Sequence, residues 1–209
     1  QGVKKACVHI LLDGRDVPPT SALEYVSRLE DFLAALNRDS DIDFAIASGG
    51  GRMQITMDRY QADWDMVERG YRCHVHGEGR TFPSARAAVE TMYGESDTGD
   101  QYLGEFVVVD DDGTPIGEVV DGDGVVFFNF RGDRAIELSQ AFEQGSAFDK
   151  FDRERIPDVY FAGMGLYDGD TNTPASYLVE PESVDTTVSE IIASAGIAQW
   201  AGAETQKFG

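Results

Sequence analysis

The chain has 209 residues and a formal net charge of -21 at pH 7, because 38 Asp and Glu residues outnumber 17 Lys and Arg residues. This length, with an apolar fraction of 42%, suits one globular domain or slightly more, and the acidic balance argues against non-specific binding to nucleic acid or to anionic membranes. No apolar run approaches the roughly 20 residues of a membrane span and the two cysteines are isolated, so we expect a soluble cytoplasmic protein without disulfides or a zinc site.

The first predicted unit is a strand, a helix and a second strand. A continuous apolar run from Cys7 to Leu12 indicates a buried strand, and "VPPTSALEYVSRLEDFLAALN" predicts a helix with Thr20 or Ser21 as its N-cap. The stretch "DFAIASGGG" is the next strand. A right-handed crossover would place loops 14–20 and 48–59 at the carboxyl edge of one sheet.

The rest of the chain predicts further helices and strands in alternation. Helices are expected in "MDRYQADWDMVERGYRCHV", in "SARAAVETMYG" with Ser84 as its cap, at residues 134–144, and in "SVDTTVSEIIASAG". Residues 105–130 contain apolar runs separated by Asp-Gly turns, which indicates a hairpin and then a central strand, and "DVYFAGMGLYD" is a further strand. We therefore expect one mixed α/β domain over residues 1–197, with a predominantly parallel sheet and flanking helices.

Arginines follow three of the predicted strands. Any one of these loops alone fits a solvated surface turn or an ordinary salt-bridged helix start. Parallel strands would bring all three loops to one sheet edge, and guanidinium groups bind carboxylate or phosphate with two parallel hydrogen bonds. The pattern predicts an anion pocket, in which an adjacent aspartate could exchange a proton with a ligand hydroxyl. In chain order the residues are Arg15 with Asp16, Arg52, Arg59, Arg131 and Arg134.

Two other patterns suggest metal binding only weakly. His74 and His76 would share a strand face, but no third ligand has suitable spacing, so a structural histidine pair is the preferred interpretation. "YDGDTNTP" has acidic residues at calcium-loop spacing, yet it lacks the loop glycine and the bidentate Glu. We interpret that stretch as a turn and expect no metal site in this chain.

Four motifs together resemble one enzyme family. "LLDGRD", "SGGGRM" with "TMDRY", "FFNFRGDR" and the terminal "ETQKFG" are similar to segments of the cofactor-independent phosphoglycerate mutases, especially the plant and trypanosomatid type. The resemblance implies an isomerase of the alkaline phosphatase superfamily, whose phosphatase-like domain holds two manganese ions and a serine nucleophile. A second α/β domain inserted in it acts as a substrate-binding lid. This chain resembles most of that inserted domain, truncated at its N-terminal side.

The resemblance also assigns roles to individual residues. Asp16 resembles the group that handles the proton on the glycerate hydroxyl, and the five arginines resemble the substrate clamp. Lys207 matches a lysine of the phosphatase-like domain that assists at the phosphoserine, which implies that residues 198–209 re-enter that domain. The family's serine, its metal ligands and its catalytic histidine have no counterparts in this sequence.

The implied function is that of a fragment. The parent enzyme would interconvert 3-phosphoglycerate and 2-phosphoglycerate through a phosphoserine, in glycolysis and gluconeogenesis. Its partners would be this small substrate and the rest of its own polypeptide. The piece would bind the substrate without any cofactor of its own, and would be inactive alone. Two alternatives stay open: a stand-alone module that binds a small organic phosphate or acid, and an acidic interaction domain.

Overall fold

The protein is described by a computed structural model, which covers residues 2–181, 184–200 and 202. The chain divides into two compact units, the first ending at Val179 and the second beginning at Glu180. The predicted domain boundary at residue 197 stays a prediction, because most residues beyond it lie outside the described ones. Among the described residues, no helix combines the length and the apolar character that crossing a bilayer requires.

Strands and helices alternate along most of the chain, and short strands at residues 80–82 and 177–179 occur in addition to the predicted ones. In chain order they are β1 (Lys5–Leu12), α1 (Ala22–Asp39), β2 (Asp43–Gly51), α2 (Trp64–Tyr71), β3 (Arg80–Phe82), α3 (Ala85–Glu95), β4 (Phe106–Val108), β5 (Gly124–Phe127), α4 (Ile136–Glu143), β6 (Tyr160–Gly165), β7 (Tyr177–Val179) and α5 (Val188–Ser194). Helix α5 belongs to the second unit and all the other elements belong to the first. The predicted mixed α/β class is confirmed.

A four-stranded sheet forms the N-terminal half of the first unit. Its order is β1-β2-β4-β3, with β1 parallel to β2, β3 parallel to β4, and β2 antiparallel to β4. Helices α1 and α3 pack on it through apolar side chains at helical spacing, among them Val26, Leu33 and Val89. The buried faces of the helices and the sheet make one core. Helix α1 connects the parallel strands β1 and β2 and packs on this core.

A separate three-stranded parallel sheet forms the other half, in the order β5-β6-β7. Strand β5 is an edge strand there, so the prediction that it is a central strand is wrong. Val125 and Phe127 pack against a core that contains helix residues Val67 and Leu138, whereas Val126 is exposed. This alternation is typical of a strand covered on one face. The predicted hairpin is reduced to a single antiparallel bridge between residues 109 and 115.

The start of helix α1 differs from the prediction. Ser21 stands at the N-cap position, but its side chain makes no capping hydrogen bond. The carboxylate of Asp100 instead accepts hydrogen bonds from the backbone N–H groups of Ser21 at 2.8 Å and Ala22 at 2.9 Å. The cap thus comes from a residue far along the chain, which local sequence rules do not detect. The predicted cap of α3 is correct, since Ser84 Oγ accepts from the N–H of Ala87.

The segment between β2 and α2 contains the other large difference. Helix α2 begins at Trp64, where the Asp63 side chain accepts from the N–H of Met66 at 3.0 Å, so the preceding residues form a loop and not the predicted helix. His74 and His76 lie in a π-helical turn, Arg72–His76, that continues α2. The predicted strand face shared by these two histidines is therefore wrong.

Candidate anion-binding site

The candidate site is built from three segments that follow strands. The first is the loop after β1, residues 13–16, and the second is residues 52–63 between β2 and α2, named the arginine loop below. The third is the turn after β5, residues 129–134, which ends in a 3-10 helix. The first two segments leave the four-stranded sheet and the third leaves the three-stranded sheet. The site is therefore formed by segments that leave two different sheets, whereas the sequence predicted a site at one edge of a single sheet.

Arg52 connects the arginine loop to the first segment. Its guanidinium is largely buried, and Nη1 lies 2.7 Å from Asp13 Oδ1 and 3.7 Å from Asp16 Oδ2. Its backbone N–H donates to the carbonyl of Leu12 at 3.0 Å, which fixes the point where the chain leaves β2. Asp13 also accepts from the N–H of Asp16 at 3.1 Å. Asp16 is thereby held beside Arg52, although its side chain is 72% exposed.

Asp133 joins two further arginines. Arg131 approaches it through Nε and Nη2, each 3.3 Å from a carboxylate oxygen, and Arg59 Nη1 lies 3.8 Å away. The Arg59 guanidinium also lies 5.1 Å from the centre of the Tyr60 ring, within cation-π range. Asn129 fixes the turn, since its amide donates to the carbonyl of Arg131 at 3.1 Å. One carboxylate therefore orients guanidinium groups from two different segments.

Arg134 is the buried centre of the cluster, with only 6% of the residue exposed. Its Nη1 donates a hydrogen bond to the carbonyl of Met57 in the arginine loop. Burial lowers the pKa of Arg134, and the positive charges of Arg52 and Arg59 lower it further, while Asp133 acts in the opposite direction. The guanidinium still carries its charge at neutral pH. Repulsion between buried cations marks a place where a bound anion would be stabilised.

Buried donors in the same cluster lack partners. The Nε–H groups of Arg52 and Arg134 are inaccessible and have no hydrogen-bond acceptor in the described part of the chain. An unpaired buried donor costs about 1–3 kcal/mol. Few native structures retain such groups without a functional reason.

The structure thus brings together five of the six residues predicted for the anion pocket. Arg15, the sixth, is exposed beside Asp16, and its side chain has no hydrogen bond or ion pair with any residue the structure describes. Lys207 lies outside the described residues, so its predicted role stays a prediction. The five residues joined by contacts or by mutual charge effects are Asp16, Arg52, Arg59, Arg131 and Arg134.

Sequence reasoning identified Asp16 but missed three other acidic residues of the site. Asp13 and Asp133 stand inside "LLDGRD" and "FRGDR", so the motifs contained the signal that each arginine has a carboxylate partner nearby. Glu137 gave no such signal. It lies in the first turn of α4 and is buried; Oε1 accepts from the N–H of Gln61 at 3.1 Å, and Oε2 has no partner among the described residues. Burial raises the pKa of Glu137, and nearby Asp58 and Asp133 raise it further.

A mainly apolar cavity, partly open to solvent, occurs elsewhere. It measures about 300 Å³ and lies between β1 and α1, where its walls include Ile10, Val26 and Leu29. Asp13 connects this cavity to the arginine cluster. It lines the cavity, and its carboxylate pairs with Arg52 of the cluster. An anion would find no charge-compensating arginine inside the cavity.

The side chains that could bind a metal ion do not cluster in the described part of the chain. Within the described residues, His, Cys, Asp and Glu side chains nowhere form a group of three that could hold a metal ion. The described residues therefore do not fit the manganese pair that the resemblance implies for the parent enzyme.

The fold and the cluster together define an α/β domain that brings together four arginines from two loops, with Asp13 and Asp16 from a third loop beside them. Residues 1–169 match the family described as "BPG-independent PGAM N-terminus (iPGM_N)". The chain belongs to this family, the N-terminal domain of the cofactor-independent phosphoglycerate mutases.

Similar proteins agree with this assignment. The chain is 56% identical over 208 residues to the probable 2,3-bisphosphoglycerate-independent phosphoglycerate mutase of Leptospira interrogans, covering 99% of this chain and 37% of the relative. It is 52% identical to the enzyme of that name from Trypanosoma brucei brucei, over 100% of this chain and 38% of the relative. A crystal structure of Leishmania mexicana phosphoglycerate mutase at low cobalt concentration matches with a TM-score of 0.85 and 47% identity, over 92% of this chain and 35% of that chain. The chain thus spans well under half the length of these relatives.

Proposed function

We propose that this chain is the substrate-binding domain of a phosphoglycerate mutase that interconverts 3-phosphoglycerate and 2-phosphoglycerate. The observation that supports it most is the cluster of four arginines from two loops, in which two buried N–H donors have no acceptor among the described residues. Family membership supports a phosphoglycerate as this anion. This ligand carries a carboxylate and a phosphate, and both groups suit the planar donor fork of arginine.

The geometry suggests separate roles for buried and exposed groups. The buried guanidinium of Arg134 and that of Arg52 would hold an anionic group in a region of low water content, where charge-assisted hydrogen bonds are strong. Asp16 is exposed, yet it is kept near Arg52. A carboxyl group in that position can give a proton to the glycerate oxygen that loses the phosphoryl group and then, as a carboxylate, take a proton from the hydroxyl that receives it, in keeping with the role the resemblance assigns to it.

The remaining chemistry belongs, in this proposal, to a longer polypeptide. The chain spans about 37% of the Leptospira relative, and its described residues hold no three-residue group suited to a metal. The serine that carries the phosphoryl group and the two manganese ions would lie in the other part of such a cytoplasmic enzyme. Residues 198–209, with Lys207, would lead into that part.

Calorimetric titration of the 209-residue chain with 3-phosphoglycerate tests the proposal. We expect saturable binding that Arg134→Lys weakens about 10- to 100-fold, because lysine keeps the charge but loses the donor fork. Arg80→Lys is the matched control, since Arg80 pairs with Glu95 on an exposed surface at 2.7 Å. Arg131 is less buried than Arg134, so Arg131→Lys replaces the Arg134 variant in this test if that variant does not fold. An absence of saturable binding by the unmodified chain would refute the proposal.

A further inference from the structure

A line of hydrogen-bonded polar side chains crosses the interior and ends in the arginine loop. His9 Nδ1 lies 2.7 Å from Ser48 Oγ, which lies 2.9 Å from His74 Nδ1. His74 Nε2 is in turn 3.2 Å from Thr56 Oγ1. The four residues come from β1, β2, the π-helical turn and the arginine loop, respectively. This line therefore links both parallel strands and the end of α2 to the loop that carries Arg52 and Arg59.

The two imidazoles of this line are neutral. Burial lowers the pKa of His9 to about 4, and burial together with the proximity of His9 lowers the pKa of His74 well below its ordinary value. A neutral imidazole has one N–H donor and one acceptor nitrogen, so the His74 ring can bond to the Ser48 hydroxyl through one nitrogen and to the Thr56 hydroxyl through the other. Both nitrogens of the buried His74 ring therefore have partners, as buried polar groups require.

Thr56 occupies an unfavourable backbone conformation at the end of this line. Its φ is +68°, a left-handed value that β-branched residues rarely adopt. A glycine would relieve the strain there, but it would also remove the hydroxyl that reaches His74. The neighbouring chain is shaped around this hydroxyl: a Cβ at Gly70 would lie 2.1 Å from Thr56 Oγ1. The Thr56 N–H also donates to the carbonyl of Met66 at 2.9 Å, which holds the backbone in place.

The strained residue stands directly beside the ligand-binding groups. Its successor, Met57, provides the carbonyl that accepts from buried Arg134, and Arg59 follows two residues later. Backbone strain of this kind persists only where the surroundings determine the conformation, and it is frequent at ligand-binding sites. Arg52 is fixed by its own contacts at the other end of the loop. The Thr56 contact is therefore suited to control the middle of the loop.

We infer that Thr56 and His74 are positioning residues, which hold the arginine loop in the conformation that presents Arg59 and the Met57–Arg134 contact to the anion. Neither side chain is placed to touch the ligand in this role. His74 acts through the Thr56 hydroxyl, and Ser48 with His9 fixes the orientation of the His74 ring. The identity of the anion rests on the proposed function, whereas the control of the loop conformation does not.

Hydrogen exchange tests the inference without any ligand. Thr56→Val removes the hydroxyl and keeps the shape, and Thr56→Ser keeps the hydroxyl. We expect the amides of residues 54–57 to exchange about 5- to 10-fold faster in Thr56→Val and in His74→Phe, the loss that one buried hydrogen bond causes. Thr56→Ser should remain within about 2-fold of the unmodified chain. His76→Phe is the control, because His76 bonds to the carbonyl of Arg153, outside the loop.

Amides of α1 report whether an effect is local. Faster exchange in the loop with unchanged exchange in α1 supports the inference, whereas unchanged loop exchange in Thr56→Val, or an equal increase in α1, overturns it. Calorimetry with 3-phosphoglycerate on the same variants should show a dissociation constant raised about 5- to 10-fold in Thr56→Val and near normal in Thr56→Ser. If the unmodified chain does not bind 3-phosphoglycerate, the proposed function fails, and loop exchange alone decides the inference.

Discussion

At the residue scale, the arginine cluster shows what sequence position can and cannot reveal. Arg52 and Arg134 could be identified because each follows an apolar run that had to be a strand, and the ends of strands are where ligand groups collect. Their burial could not be read from the sequence, because it depends on segments far along the chain: Asp13 reaches Arg52, and the carbonyl of Met57 reaches Arg134. The same long-range packing buries Glu137, a residue with no distinguishing sequence signal.

Glu137 provides a prediction about stability. Because burial raises its pKa in the folded state, the fold favours the protonated carboxyl, and this contribution is lost as the pH rises through the raised pKa. Glu137→Gln is always neutral and can still accept from the Gln61 N–H. We therefore expect the variant to resist urea better than the unmodified chain at pH 7, with a difference that shrinks as the pH falls towards 4.5, the ordinary glutamate value.

Glu95→Gln is the control for that experiment. Its carboxylate is exposed and paired with Arg80, which lowers its pKa, so its removal should give no gain in stability at pH 7. Urea unfolding of the three proteins at both pH values provides the comparison. A Glu137→Gln variant that is equally stable or less stable at pH 7 would contradict the prediction, because it would show that contacts with the charged form of Glu137 outweigh the cost of its burial.

At the element scale, the parts with strong periodic patterns were predictable and the parts fixed by distant contacts were not. Strand β1, helix α1 and strand β2 follow from apolar runs and helical spacing, and the predicted helix cap at Ser84 is correct. The start of α2 was misplaced because residues 57–63 take a loop conformation, with left-handed residues at Tyr60 and Gln61. The separation into two sheets also escaped prediction, since short strands such as β5 do not reveal their neighbours.

The cap of helix α1 by Asp100 can be tested by substitution. Asp100 is 1% exposed, and besides the N–H groups of Ser21 and Ala22 it accepts from the Tyr93 hydroxyl at 2.5 Å. Asp100→Ala leaves all three donors without this acceptor, and we expect a loss of about 2–3 kcal/mol in the free energy of unfolding. Ser84→Ala, which removes one ordinary cap from α3, should cost about 1 kcal/mol. Chemical denaturation measures both, and equal losses would contradict the special role of Asp100.

At the scale of the whole molecule, the chain has a net charge of -21 and yet contains a local concentration of arginines. The acidic surroundings repel anions in general, so an anion that binds must gain its free energy at short range, from oriented guanidinium groups. This arrangement favours a small ligand with two anionic groups over an extended polyanion. It also explains why composition alone excluded nucleic acid while the order of the motifs still pointed to an anion site.

The last prediction concerns the division of work between binding and catalysis. We expect the 209-residue chain, supplied with manganese and 3-phosphoglycerate, to bind the substrate but to show neither mutase nor phosphatase turnover. The sequence lacks a counterpart of the family's nucleophile, and the described residues contain no three-residue metal group; loss of a nucleophile alone lowers rates by several orders of magnitude. The Leptospira interrogans relative, assayed in parallel, serves as the positive control. Turnover by the purified chain that Asp16→Asn abolishes would contradict the prediction. Because Asp16 is exposed, that variant should keep its fold, and such a result would place the chemistry itself in this domain.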